Sequence, residues 1–481
     1  MMDSRTMHRM WRKLSEPAAL LAAIVACASA AFADWPTGRG NPQRTGAADN
    51  QPGPKSPKIL WVYESQEHFI ASPSLGNKEL YVSGIGAFNT AAFHVLSLDP
   101  SAANRELWTK RPPYLKQPVV CPPAIVNGKV ILGDGMHQTD GAALYCMTET
   151  GTPIWQYPVP GTLVHIEGAP TVANGRVYFG GGAAGVLCVD LNRVTLEGKE
   201  LDEAAAEKLI KAKWDELQAR YEADKKKDPD FAIPPSDDAL PKPSPKLIWQ
   251  VGQEKLHVDS AVAVVSGRVL AASAGLEKEK VGDRALFCFD ANDGTQKWRT
   301  PLDLNPWSGP TVAGNVILVG CSSIRLDPKE IPQAKGQVVA LNLETGAPIW
   351  KKDLPGGVVS PIAVAGDLAI VTATDGKVRA LRISDGQEKW FWGPGASFFA
   401  GPAVSTDVAY CADLKGAVRA INLADGKLLW TIDLATDPAV HAPGMIYGSP
   451  ILKDGKLYVA TSNLESAADQ QRTVVVCIGE K

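Results

Sequence analysis

One phrase recurs along this chain, and its period constrains the fold more tightly than anything else in the sequence. It joins an apolar strand, a turn containing glycine, and a tryptophan four residues after that glycine. Copies run from Leu144 through Gly151 to Trp155, from Leu286 through Gly294 to Trp298, and from Val338 through Gly346 to Trp350. Two closer copies run from Val378 through Gly386 to Trp390 and from Val418 through Gly426 to Trp430, and looser ones end at Trp61, Trp108 and Trp249. A second phrase interleaves with the first: a Pro-led strand, a tight turn and an apolar strand, as in Ser72-Pro73 to Val82, Gly309-Pro310 to Val319 and Ser449-Pro450 to Val459. Both phrases occur eight times, Ser260 to Ala271 being a copy without the proline. The tryptophans are spaced by 47, 47, 94, 49, 52, 40 and 40 residues, and the doubled interval contains one Pro-led phrase, hence an insertion. Four strands per such interval is the period of a propeller blade, which predicts an all-β, eight-bladed β-propeller over residues 59–479.

The two ends complete the ring. Ile59 to Tyr63 reads as an outer strand with its Trp61 but no blade before it, and Thr473 to Ile478 as a third strand with no tryptophan strand after it. Pairing them closes the eighth blade and removes an open sheet edge. The tryptophan column (Trp61, Trp108, Trp155, Trp249, Trp298, Trp350, Trp390, Trp430) is expected to be structural, each ring docking on the next blade. Turns such as Asp293-Gly294 and Asp385-Gly386 supply the positive φ that hairpins need.

The N-terminus reads as a leader. Arg5, Arg9, Arg12 and Lys13 precede the apolar stretch Ala18 to Ala30, and Ala31-Phe32-Ala33 fits a small-x-small cleavage site. Residues 1–33 are therefore expected to be a signal peptide and 34–58 an extension before the propeller. A second reading takes Ile24-Val25-Ala26-Cys27 as a lipobox with Cys27 lipidated. Both readings export the protein, to the periplasm or beyond in the first case and to a membrane anchor in the second. No later apolar run is long enough to span a bilayer. A net charge of −3 argues against a nucleic-acid footprint.

Residues 192–245 form the insertion, placed in blade three. Lys199 to Lys227 reads as a charged helix with Ile210, Trp214, Leu217 and Tyr221 on one stripe, followed by a proline-rich return. The stripe either packs on the flank of the propeller or serves a partner as a docking face. Cys146, Cys188, Cys288 and Cys477 share one repeat column with Ser97, Ala340, Ala380 and Ala420, which marks them as small core side chains rather than disulfide or zinc-ribbon residues. Gly180 to Gly185 lies between strands and reads as a hairpin turn. Hydrolase, zinc-protease and nucleotide-loop motifs are missing, so no catalytic residue is assigned.

The segments that precede each Pro-led strand converge on the channel mouth, on the face opposite the insertion. There His68, His165 and His257 fall in one column, with Glu167 and Asp259 two residues after the last two. Trp307, Phe399, His441 and Tyr447 occupy matching segments of blades five, seven and eight and would supply walls. Neighbouring imidazoles and carboxylates are ligands for a transition metal or a cationic molecule. Solvated loop residues are the other reading.

The docking repeat, small-x-Asp-x-x-Thr-Gly-x-x-x-Trp, resembles that of quinoprotein alcohol dehydrogenases and of the BamB propellers of outer-membrane assembly. The opening Asp34-Trp35-Pro36-x-x-Arg39-Gly40 resembles the mature start of secreted bacterial propellers of this type. The BamB resemblance implies a non-catalytic envelope scaffold with a protein partner and no cofactor. The dehydrogenase resemblance implies pyrroloquinoline quinone beside calcium and a vicinal cysteine pair. The chain has no Cys-Cys, which sets it apart from that second group.

Overall fold

The computed structural model describes residues 35–47, 52–137, 139–463 and 472–480. The leader predicted over 1–33, with Cys27 and the Ala31–Ala33 cleavage site, lies outside them. Among the described residues, eight antiparallel sheets stand in sequence order. Seven have four strands, and blade three has five. The protein is the predicted eight-bladed propeller.

Register explains the repeat. Across the outer hairpins Trp155 faces Cys146, Trp249 faces Cys188, Trp298 faces Cys288 and Trp350 faces Ala340. The small residue leaves room for the ring. In blade one the partner of Trp108 is Val95 rather than Ser97, because a longer turn separates the two strands there. Six of these indole N–H groups, from Trp108 to Trp390, donate to a backbone carbonyl of the following blade, as Trp155 does to Leu191 at 3.1 Å, Trp350 to Ile383 at 2.7 Å and Trp390 to Leu423 at 2.7 Å. The turn glycine closes the contact from the other side. Gly346 has φ +71°, and a Cβ there would come within 2.6 Å of the Trp298 ring. The seven described cysteines are free and buried, and burial pushes the Cys288 thiol up to about 11.

The ring closes as the ends suggested. Pro57–Ser65 pairs antiparallel with Thr473–Glu480, setting Trp61 opposite Cys477. Arg105 stacks on the Trp61 ring at 4.6 Å.

The insertion does interrupt blade three between its third and fourth strands, but its start differs from expectation. The third strand continues to Leu196 and turns at Gly198 into a short strand, Lys199–Leu201. Helix α1 therefore spans Glu203–Lys227, beginning where the Asp202 side chain accepts from the Ala205 N–H at 2.8 Å. Only the first half of the helix is anchored. Ala206 and Ile210 are buried, Ala206 against Leu191 and Val194, and Lys129 pairs with Glu203 at 2.9 Å. Leu217 and Tyr221 are half-buried, while Trp214 and Leu209 are exposed. The return strand is tied to blade two by Gln156 N–H donating to Pro243 at 3.0 Å.

The extension before the propeller is not a loose leader. Residues 35–46 thread the channel and hand backbone carbonyls to the innermost strands in blade order. Trp35 accepts from Leu75 N–H (2.9 Å), Pro36 from Ile125 (2.6 Å), Pro42 from Val264 (3.0 Å), Gln43 from Val312 (2.9 Å), Thr45 from Val364 (2.8 Å) and Gly46 from Val404 (2.9 Å). These strands are central in the molecule and would otherwise present unpaired N–H groups to the channel. Blade three is reached by side chains instead. Arg44 donates to Ala169 at 2.8 Å, to Gly38 at 2.6 Å, to Val262 of blade four at 3.2 Å, and to the Thr37 and Thr171 hydroxyls.

Candidate metal and ligand site at the axial mouth

His165 and His257 stand at equivalent positions in adjacent blades, just before the innermost strands that begin at Thr171 and Ala263. Their backbones are fixed by paired bonds between Gly182 and Val258 (3.0 and 3.1 Å) and by His257 N–H donating to Ser273 Oγ at 3.0 Å. The glycine-rich turn after Gly180 is thus a hairpin that packs on the site. Gly182 has φ +57°, and a Cβ there would lie 2.9 Å from His165 Cε1.

Asp259 lies between the two imidazoles. Its Oδ1 is 2.9 Å from His165 Nε2 and 2.8 Å from His257 Nε2. The first contact is a well-aligned hydrogen bond. The second is poorly aligned, leaving both ring nitrogens of His257 without a hydrogen-bond partner. Glu167 stands 3.9 Å from His165. A third histidine joins them from blade two. The His137 ring centroid is 5.5 Å from those of both His165 and His257, which are 5.2 Å from each other. One ligand atom from each of His137, His165, His257 and Asp259 falls within 4.8 Å of the other three.

Electrostatics polarises this group. Burial opposes ionisation of Asp259, but His257 and His165 more than offset it and hold the carboxyl well below its usual range. Burial disfavours the charged form of His165, yet the bond to Asp259 raises its pKa overall. His137 has no such partner, and burial together with the Arg325 charge brings it down to about 4. Glu167 is pushed up, chiefly by burial. His137 is therefore a neutral imidazole at neutral pH.

The cluster opens into a cavity of about 450 Å³ on the axis, with every blade contributing to its wall. Trp307, Phe399 and Tyr447 line it as the sequence suggested, together with Glu167 and Asp259. His68 and His441 do not join the site. His68 pairs with Ile85 at the edge of blade one and accepts from Asn463 N–H at 3.1 Å, whereas His441 is exposed with φ +46°. Sequence reasoning missed His137, Arg325 and Arg39. His137 and Arg325 sit on connections between second and third strands, which emerge on the same face as the segments carrying His165 and His257. These connections differ in length, so no repeat column aligns them. Arg39 belongs to the threaded segment, and no repeat points to it.

The comparisons with known proteins come to bear on this frame. None of the curated proteins matches the chain. Among solved structures, BamB from Moraxella catarrhalis aligns with 11% identity and a TM-score of 0.55, covering 87% of this chain and 97% of that one. Quinohemoprotein alcohol dehydrogenase from Comamonas testosteroni aligns with 14% identity and a TM-score of 0.60, covering 93% and 81%. A europium-containing methanol dehydrogenase aligns with 13% identity and a TM-score of 0.58, covering 93% and 98%. At these identities the likeness shows the fold. The family model of the outer membrane protein assembly factor BamB matches residues 53–210, 238–327 and 329–477, and the chain therefore belongs to that family.

Proposed function

We propose that this protein is an exported propeller of the cell envelope whose axial cavity binds one divalent transition-metal ion and, through it, a small ligand. The convergence of three imidazoles and one carboxylate at the cavity wall, with His137 and Asp259 facing the cavity and His165 and His257 buried behind them, carries this reading. Metal–ligand bonds of about 2.0–2.1 Å at tetrahedral angles separate ligand atoms by about 3.3 Å. Asp259 Oδ1 lies near that spacing from both Nε2 atoms, and all four ligand atoms lie within 4.8 Å of one another, so a modest adjustment completes the set. A nitrogen-rich set suits zinc, copper or nickel. It does not fit the calcium-bound quinone centre that the dehydrogenase resemblance implies, since calcium takes about six to eight oxygen ligands. Calorimetric titration of the full chain with zinc, copper and calcium tests the reading. Wild type is expected to bind one zinc or copper ion and to ignore calcium, and the His165→Ala, His257→Ala double variant is expected to lose that binding. Equal binding by both forms, or none by either, rejects the site.

A second reading, protein interaction in the envelope, is supported by the family and by the exposed Leu209 and Trp214 on α1. Loss of a co-purifying envelope protein in the Leu209→Ala, Trp214→Ala variant, with metal binding intact, would favour it. Mass spectrometry of the mature N-terminus separates a start at Asp34 from a lipidated Cys27.

A further inference from the structure

Outside the metal ligands, the cavity wall carries several buried hydrogen-bond donors without partners. Arg39 is 4% exposed and donates through Nη2 to the Pro402 carbonyl at 2.7 Å, while its Nε and Nη1 have no partner. The Trp307 indole N–H and the Ser260 hydroxyl, both lining the cavity, are also buried without partners. Arg325 lies with its guanidinium 4.8 Å above the Trp307 ring, and no carboxylate pairs with it among the described residues. Arg325 lines the same cavity as His137 and Asp259. The carboxylates that line the same space each already have contacts within the protein. Asp259 holds the two histidines, Glu167 accepts from the His137 backbone N–H, and Asp327 accepts from Lys329 N–H at 2.9 Å.

Buried donors without acceptors are costly, typically about 1–3 kcal/mol each, and a guanidinium more. A site built this way favours a ligand that brings acceptors and negative charge. Metal loading sharpens the bias. With a divalent ion in place, the ion and the guanidinium groups of Arg39, Arg44 and Arg325 outweigh the three carboxylates, and the cavity carries surplus positive charge. Its volume is that of a small-molecule site. Phe399, Tyr447, Val120 and Ile70 add apolar surface beside the charges.

We infer that the axial cavity takes a compact oxyanion, a carboxylate or a phosphate ester, with one oxygen on the metal ion and others on Arg325 and Arg39. The ligand's apolar body rests on the aromatic wall. Arg44 has its donors engaged by the protein and acts as structure. This inference rests on the metal reading above. It also differs from simple metal storage, since a storage site needs no donors beyond its ligands.

The test uses the full chain loaded with cobalt(II), whose visible absorption reports changes at the ion. Inorganic phosphate and succinate are titrated separately at constant ionic strength, with chloride as the control, and retained cobalt is measured after gel filtration. A saturable spectral change with phosphate or succinate, absent with chloride, is expected, and Arg325→Gln should weaken it at least tenfold while Arg325→Lys restores part of the loss. A response to phosphate alone assigns a phosphate ester, and a response to succinate alone assigns a carboxylate. Cobalt that binds but gives no anion response, loses its ion to the anion, or responds equally in Arg325→Gln overturns the oxyanion ligand and leaves the metal site standing. Failure of cobalt to bind overturns both.

Discussion

His165 and Asp259, 94 residues apart in sequence, meet across the boundary of blades three and four at 2.9 Å. The same carboxylate oxygen lies 2.8 Å from His257, so one acid stands beside two imidazoles. Asp259→Asn keeps the shape but removes the charge. It should lower zinc affinity by at least about tenfold, as losing a carboxylate partner of ligand histidines does. Competition with a chromogenic chelator reads this, and an unchanged affinity would put the ion elsewhere.

Arg44 is 2% exposed and holds carbonyls of the threaded segment and of blades three and four. Burial lowers its pKa to about 9, so it stays charged at neutral pH. Arg44→Gln would strand several of these acceptors and should cost about 3 kcal/mol or more of stability. Urea denaturation followed by tryptophan fluorescence measures it. A loss near zero would mean that the segment does not brace the ring.

Ile210 and Trp214 share one helical stripe but differ in fate. Ile210 is 2% exposed and Trp214 is 36% exposed. Ile210→Ala should destabilise by about 2–4 kcal/mol, whereas Trp214→Ala should stay within about 0.5 kcal/mol. Deleting residues 196–244 should leave a cooperative but less stable propeller. Equal effects of the two point substitutions would contradict the half-anchored helix.

Glu67 sits among His94, Arg111 and, through His94, Glu106 and Tyr63. Burial opposes its ionisation, yet His94 and Arg111 hold the carboxyl below its ordinary 4.5. A depressed carboxyl stabilises the folded state above its unfolded pKa and loses that contribution as pH falls through the folded value. Melting temperature should therefore drop on acidification below about pH 4.5, and Glu67→Gln should flatten that limb. A parallel acid limb in the variant would assign the loss to other groups.

Trp155 is 2% exposed and bonded to Leu191. Trp155→Ala should cost about 3–5 kcal/mol. Trp155→Phe, which keeps a ring and loses the N–H, should cost less. Thermal melts of the pair separate packing from hydrogen bonding.

The fold was legible because its constraint is periodic. A turn glycine pressed against a tryptophan must recur wherever a blade must dock, so Gly346 and Trp298 betray each other in the sequence. The site was legible only where it inherits that period. His165, His257, Glu167 and Asp259 occupy repeat columns and were found. The same alignment put His68 beside them, but blade one lies two blades from His165, and no local signal carries that angular distance. His137 and Arg325 belong to connections of unequal length, where columns cannot be drawn. The strand at Lys199–Leu201 was read as helix because a charged, lysine-rich run hides the turn at Gly198. The role of residues 35–46 had no local signature, since main-chain carbonyls do the bonding and any sequence provides those.

That threaded segment also sets a timetable. It leaves the ribosome ahead of every blade, yet Arg39 meets the Pro402 carbonyl 363 residues later, and Trp430 donates to Pro54 across 376. Trp35 and Pro36 can meet Leu75 and Ile125 of the first two blades early, but the contact of Arg39 must wait until residue 402 has been synthesised. The Arg39 contact at the axis and the Trp430 contact to Pro54 both depend on these late residues. A chain cut short before Pro402 would leave Arg39 without its acceptor and the ring open, even with all three histidines in place.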